Sequence, residues 1–246
     1  QGLFIPDQPI ADFIDFLFQY NFTIEENRLY DEELELNPEF LGLIFERLVN
    51  KEYGAVYTPL TEVDLMCRLG LVKWLEKNTK DIPIDDLYNF LFRNKGSGEE
   101  YDEEQKQGDF SPAQIRQLIG LLEKITVCDP AAGSGAFEVG MLHVLEDLIN
   151  NLYHREITPE ELKDVAPTPF GLKKAIIANS LYGVEVKNWA VWINHLRLWL
   201  TLFVDMPDDF RSSLEPLLPS LTFKVRMGDS LVQRIGSRAF PVYEYM

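Results

Sequence analysis

Apolar positions recur with helical spacing over 9–20 (PIADFIDFLFQY) and 39–50 (EFLGLIFERLVN), which predicts two amphipathic helices. The acidic stretch 21–37 between them reads as extended or looped. Thr58-Pro59 signals a helix start, with Thr58 as N-cap and Pro59 at the first helical position. That helix is expected to run through Leu65, Leu69, Leu71 and Trp74. Polar residues fill 94–109 (NKGSGEEYDEEQKQGD), the pattern of a flexible insert. Ser111-Pro112 opens another helix, through Leu122, that leads into a strand at 125–128. An apolar helix follows, carrying Phe137, Met141, Leu142, Leu145 and Leu148. Beyond a proline-bearing connection at 159–169, the pattern predicts a helix at 172–179 and a strand at 181–186. Asn188 is then expected to cap a long apolar helix, 189–203, and a third strand is expected at 221–225. Strands that alternate with helices predict an α/β fold whose sheet is largely parallel and covered on both faces.

The chemistry gathers where those strands end. Asp129-Pro130-Ala131-Ala132-Gly133-Ser134-Gly135-Ala136-Phe137 reads as a strand end, a small-residue turn and a helix start. Such a turn exposes backbone N–H groups and lets a ligand approach the main chain, which marks a nucleotide-type ligand. Ligands of open α/β sheets sit at the carboxyl ends of strands, where two further groups stand. Glu185, after Gly183-Val184, suits the paired hydroxyls of a ribose, and Val186 beside it suits a flat base. Asp229, in Gly228-Asp229-Ser230, can accept a hydrogen bond from an exocyclic amine. A dinucleotide site would want a third Gly where Glu138 stands, and an acid about 20 residues further on. Glu185 lies much further along, and Glu138 would put a carboxylate near a pyrophosphate, so that ligand is disfavoured.

In order along the chain, four segments resemble those of the amino-group DNA methyltransferases that use S-adenosylmethionine. Gly54-Ala55-Val56-Tyr57-Thr58-Pro59 is similar to their G-x-x-Y-T-P motif, and the Asp129–Phe137 turn to their first motif, DPACGSGxF, with Ala132 at the usual Cys. Tyr182-Gly183-Val184-Glu185-Val186, followed by Leu196-Arg197-Leu198-Trp199-Leu200, resembles the second, and Met227-Gly228-Asp229-Ser230-Leu231 the third. An N-terminal Y-T-P motif is the order of the gamma class, which mostly methylates adenine N6. The resemblance implies a partial Rossmann-like, S-adenosylmethionine-dependent methyltransferase sheet over 54–246, preceded by an acidic helical segment over 1–53. It further implies part of a type IIG restriction-modification or phage-defence enzyme, with a type I modification subunit as nearest cousin. By the same resemblance, the turn at Asp129, Ala131, Gly133 and Gly135 wraps the methionine end of the cofactor, and Tyr57 and Thr58 hold its amino and carboxylate groups. Glu185 takes the ribose hydroxyls, Val186 flanks the adenine, and Asp229 with Ser230 meets its amino group. Phe137 packs under the cofactor or, equally, into the core. For Thr58 the plain alternative is the helix cap, and for Glu185 and Asp229 it is a cap or a surface acid.

The family's Asn/Asp-Pro-Pro-aromatic tetrapeptide, which grips the amine of a flipped base, does not occur in this sequence. Asn37-Pro38-Glu39-Phe40 lacks the second proline and lies ahead of the first motif. The expectation is therefore a cofactor-binding piece of a longer enzyme, with no catalytic residue of its own and inactive alone. Gln1 in place of an initiating Met fits that expectation. The alternatives are a non-catalytic module that senses the cofactor or scaffolds defence-system subunits, and a methyltransferase for RNA or cytosine N4.

Composition narrows the setting. At 246 residues and 46% hydrophobic, the chain can bury one good core and is not disordered. Its net charge is −17, and residues 1–53, with twelve acidic and three basic side chains, contribute −9 of it. Such a surface repels a phosphate backbone, so double-stranded DNA would have to dock on parts absent from this chain. The plain alternative is a solvated acidic face. Cys67 and Cys128 sit in apolar contexts and read as buried free thiols in a reducing, cytoplasmic setting. His143, His154 and His195 form no metal pattern and read as helix-surface or packing residues. Neither a signal peptide nor a membrane span is expected.

Overall fold

The computed structural model describes Gln8, residues 58–92, 110–206 and 224–231, Leu221, and the backbone of 234–235 and 238–239. The helices expected at 9–20 and 39–50, the acidic stretch 21–37, the insert 94–109 and Tyr57 lie outside the described residues. The chain divides into two compact units, Gln1–Val56 and Tyr57–Met246, and all the architecture below belongs to the second.

α1 (Leu60–Asn78) starts one residue later than expected. Its N-cap is Pro59, whose carbonyl accepts from Glu62 N (3.1 Å) and Val63 N (3.0 Å), and no side chain caps it. Thr58 is thus outside the helix. Val63, Cys67, Leu71, Val72 and Leu75 form its buried face, while Leu65 and Leu69 are exposed. α2 (Ile84–Phe92), which the sequence pattern did not announce, opens on Asp85 and Asp86, where acids favour a helix N-terminus. Buried Arg68 joins α1 to its neighbours, binding Asp64, Asp147 and the Leu91 carbonyl. α3 (Pro112–Leu122) starts where Ser111-Pro112 predicts, and a capping box closes its first turn. Ser111 Oγ accepts from Gln114 N, and Gln114 Oε1 accepts from Ser111 N.

β1 (Val127–Asp129) leads through the glycine turn into α4 (Ala136–Tyr153), the central helix of the core. Leu142, Leu145, Leu148, Ile149 and Leu152 on α4 are fully buried, each stabilising the fold by roughly 1.5–3 kcal/mol. At Gly140 a side chain would collide with Val63, so the missing Cβ lets α1 and α4 approach closely. After the short α5 (Glu160–Lys163), α6 (Pro169–Asn179) begins three residues before the expected start. Thr168 caps it, with its hydroxyl accepting from Gly171 N (3.1 Å). β2 (Leu181–Glu185) and α7 (Asn188–Phe203) follow. Asn188 is inside α7 and Lys187 is the N-cap, so the expected Asn188 cap is not used.

β3 (Val225–Met227) lies further along than the expected 221–225, and Lys224 just before it is a turn residue. Lys224 N and Val225 N both donate to the Leu221 carbonyl. β4 (Arg234–Ile235) and β5 (Arg238–Ala239) pair antiparallel as a separate two-stranded ribbon. The main sheet has the order β1-β2-β3, and both pairings are parallel, as the alternation of elements predicts. Asp129 lies opposite Gly183, and Glu185 opposite Met227. Among the described residues no helix is long and apolar enough to cross a membrane.

The expectation of two buried thiols holds for Cys67 only. Cys128 is exposed, and its side chain lines a groove that opens over the face of β1. Burial pushes the Cys67 thiol up to about 12 and also raises that of Cys128. Iodoacetamide at pH 8 is therefore expected to label Cys128 slowly and Cys67 only on unfolding, as peptide mass spectrometry would read. Equal labelling of both in the native protein would contradict this placement.

Candidate functional site

The three parallel strands bring their carboxyl ends, and the residues that follow them, to one edge of the sheet. Two left-handed glycines make the sharp bend after β1, Gly133 at φ 53° and Gly135 at φ 91°. They are the only described residues with positive φ, and a side chain at either would be strained. Asp129 fastens the first half of the turn, its Oδ1 accepting from Ala131 N (2.8 Å). Ala132 N donates to the Val184 carbonyl (3.0 Å) and so ties the turn to β2.

Glu185 completes that tie. Its Oε2 accepts from Gly133 N (2.9 Å) and its Oε1 from Lys187 N (2.7 Å). Gly228 N donates to the Glu185 carbonyl (2.9 Å), which places the 228–230 segment directly beside it. Asp229 and Ser230 are exposed, and Asp229 Oδ1 accepts from Leu231 N (2.9 Å). Val186 and Met227 are strongly exposed apolar side chains on the two residues that flank this acidic edge. Ala131 is exposed, while Phe137 is half-buried and packed against the core. Thr58 is half-buried just ahead of α1.

The two sides of the turn differ in how tightly they are packed. A Cβ built on Gly133 has nothing nearer than the Ala131 carbonyl, 4.0 Å away, so the space above that glycine is open. A Cβ on Gly135 would lie 2.6 Å from Asn194 Cγ, so α7 closes the space behind it. Arg197, one turn further along α7 and 1% exposed, donates to the Ser134 carbonyl (3.1 Å) and to Ser134 Oγ (3.2 Å). The sequence pattern assigned no role to Asn194 or Arg197. Their signal was present, since they stand three residues apart in a run, Trp192–Phe203, whose other polar residues are only His195 and Thr201.

Carboxyl groups dominate the electrostatics. Burial, with Glu185 adding to it, raises the Asp129 carboxyl above its ordinary value, and the Ala131 N–H partly offsets this. Burial followed by the nearby Asp129 pushes Glu138 up to about 8. An open, largely apolar groove of about 330 Å³ runs from Asp129 and Phe137 to Met66 and Cys67 of α1. His143 and His195 sit on helices and His154 is the C-cap of α4: His195 Nε2 lies 3.0 Å from the Val225 carbonyl, His154 Nδ1 2.8 Å from the Asn150 carbonyl, and His143 near Glu146. Among the described residues no group of three or more His, Cys, Asp or Glu is placed to hold a metal ion.

Residues 101–227 match the family model described as MmeI, DNA-methyltransferase domain. A Methanocaldococcus jannaschii protein named as a type II restriction enzyme and methyltransferase is 32% identical over 238 residues. The match covers 91% of this chain and 19% of that relative. No solved structure matches the chain.

Proposed function

The chain belongs to the MmeI DNA-methyltransferase family, and from that premise we propose that it holds the methyl donor S-adenosylmethionine in a restriction-modification enzyme that methylates adenine N6 in DNA. The observation that carries this reading is the open glycine turn between two carboxylates. Gly133 leaves main chain uncovered, and Asp129 and Glu185 stand on either side of it. A negative surround suits a cation and opposes a pyrophosphate. S-adenosylmethionine carries a sulfonium and an ammonium, and when bound it supplies an electrophilic methyl group.

The chain's own residues fit that ligand. One Glu185 oxygen can exchange its backbone N–H for ribose hydroxyls while the other keeps Lys187 N. Val186 and Met227, exposed on adjacent strand ends, offer apolar surface to the adenine, and Asp229 with Ser230 lies within the same edge for its amino group. Phe137 supports the turn from the first helical residues, and Tyr57 and Thr58 are assigned to the methionine end. The DNA substrate is held by other parts of a longer protein. The acidic balance of this chain and its 19% coverage of the relative support that division.

Calorimetry with S-adenosylmethionine tests the reading. Glu185→Ala and Asp229→Ala are each expected to weaken binding about tenfold or more, from loss of charged hydrogen bonds worth roughly 1.5–3 kcal/mol. Unchanged affinity in both variants would refute the site. Nucleoside analysis of DNA treated with the full-length enzyme should show N6-methyladenine. N4-methylcytosine in its place would overturn the choice of acceptor.

A further inference from the structure

Behind the glycine turn lies a polar pair that the cofactor contacts do not use. Glu138, in the first turn of α4, is 3% exposed, and neither of its carboxyl oxygens has a hydrogen-bond partner. Asn194 of α7 is 0% exposed, and both its amide atoms are likewise without partners. Asn194 is close enough to Glu138 to act on its ionisation, although no well-formed bond joins them. Two glycines make room for the pair. The Asn194 amide fills the space where a Gly135 side chain would be, and Glu138 Oε1 fills that of Gly183 on β2. Four buried polar atoms without partners are costly, and native cores keep few of them. Here the Asn194 amide sits against Gly135, the left-handed residue that closes the turn, and the Glu138 carboxyl against Gly183.

We propose that Glu138 and Asn194 are positioning residues for the glycine turn: the neutral Glu138 carboxyl bonds the Asn194 amide and holds Gly135 in the shape that admits the cofactor. This rests on the cofactor reading above. A neutral carboxyl donates through its O–H to the amide oxygen and accepts from the amide N–H, which satisfies the pair. An ionised carboxylate has no proton to donate and leaves the amide oxygen unpaired. The surroundings favour the neutral form. Asp129 and Cys128 of β1 and Cys67 of α1 face Glu138 as groups that are neutral or negative. The Glu138 main-chain N–H, the Asn194 amide and Arg197 of α7 oppose them, and burial outweighs all three. With its folded value raised to about 8, Glu138 stays protonated at neutral pH and ionises above it. The fold loses stability as pH rises from the ordinary carboxyl range to about 8, and no more beyond that.

The test is a pH titration of the full chain, labelled with ¹⁵N-glycine, in wild type and Glu138→Gln, together with S-adenosylmethionine affinity at each pH. The Gly135 and Gly183 amide signals are expected to shift with a midpoint near 8 in wild type and to stay fixed in Glu138→Gln. Wild-type affinity should fall about tenfold per pH unit above the midpoint, while that of Glu138→Gln stays level. A wild-type chain whose glycine signals do not titrate overturns the proposal without any variant. The same titration in Glu138→Gln, or an equal pH course of affinity in both proteins, overturns it as well. If the glycines titrate as expected and the cofactor binds at no pH, the cofactor reading fails and the positioning of the turn stands.

Discussion

Gly135→Ala is expected to destabilise the domain by about 2–5 kcal/mol and to remove S-adenosylmethionine binding. Two separate costs add. At φ 91° an L-residue is in left-handed territory, which costs roughly 1–2 kcal/mol. The new Cβ would also stand 2.6 Å from Asn194 Cγ and 2.8 Å from each of its amide atoms. Asn194 is fully buried and cannot swing into solvent, so the clash adds an overpacking cost of roughly 1–3 kcal/mol. Gly133→Ala supplies the control. Its φ of 53° carries the backbone cost, but its Cβ meets nothing nearer than 4.0 Å. That variant should lose only about 1–2 kcal/mol, while its methyl group intrudes on the space offered to the ligand. Urea unfolding and calorimetry on the two variants separate these effects. Equal urea midpoints would mean that α7 does not close the back of the turn.

That contrast also shows what the sequence made legible. Signals that act within a few residues survived the passage to structure: the helix start at Ser111-Pro112, the glycine turn after β1, and the alternation that yields parallel pairing. Each is written in backbone preference, so the chain states it locally. What depended on packing across elements was not legible. Cys128 stands in an apolar run yet is exposed, because a groove opens over its face of β1 and packing between elements decides where that groove lies. Asn188 was a plausible cap, but Glu185 already holds the Lys187 amide, and α7 begins one residue earlier.

The candidate site divides in the same way. Asp129, Glu185 and Asp229 were marked by their places after apolar strands, and the structure puts all three at neighbouring strand ends. What each carboxylate does could not be read from spacing. All three accept main-chain N–H groups, and Glu185 reaches across to Gly133, 52 residues back along the chain. Glu138 was noted only for the Gly it replaces, whereas its side chain lies against Gly183. A residue of α4 and one of β2 share that space, and nothing local in either segment announces it.

Arg197 is the other residue whose loss should be severe. It is among the largest fully buried side chains, and its guanidinium holds Ser134 through both the carbonyl and the hydroxyl oxygen. Arg197→Ala empties that volume and strips the turn of two charged hydrogen bonds, for an expected loss of about 3–5 kcal/mol. Arg197→Met keeps most of the volume and removes only the donors, so its stability loss should be about 1–3 kcal/mol, with cofactor affinity falling further than that of the fold. The arginine also lowers the Glu138 carboxyl, so its removal should move the Glu138 titration upward, above about 8. The urea midpoint and the glycine amide titration of Arg197→Met measure both effects on one sample. A variant that keeps the wild-type midpoint in each would show that the guanidinium neither braces the turn nor touches the field of the buried acid.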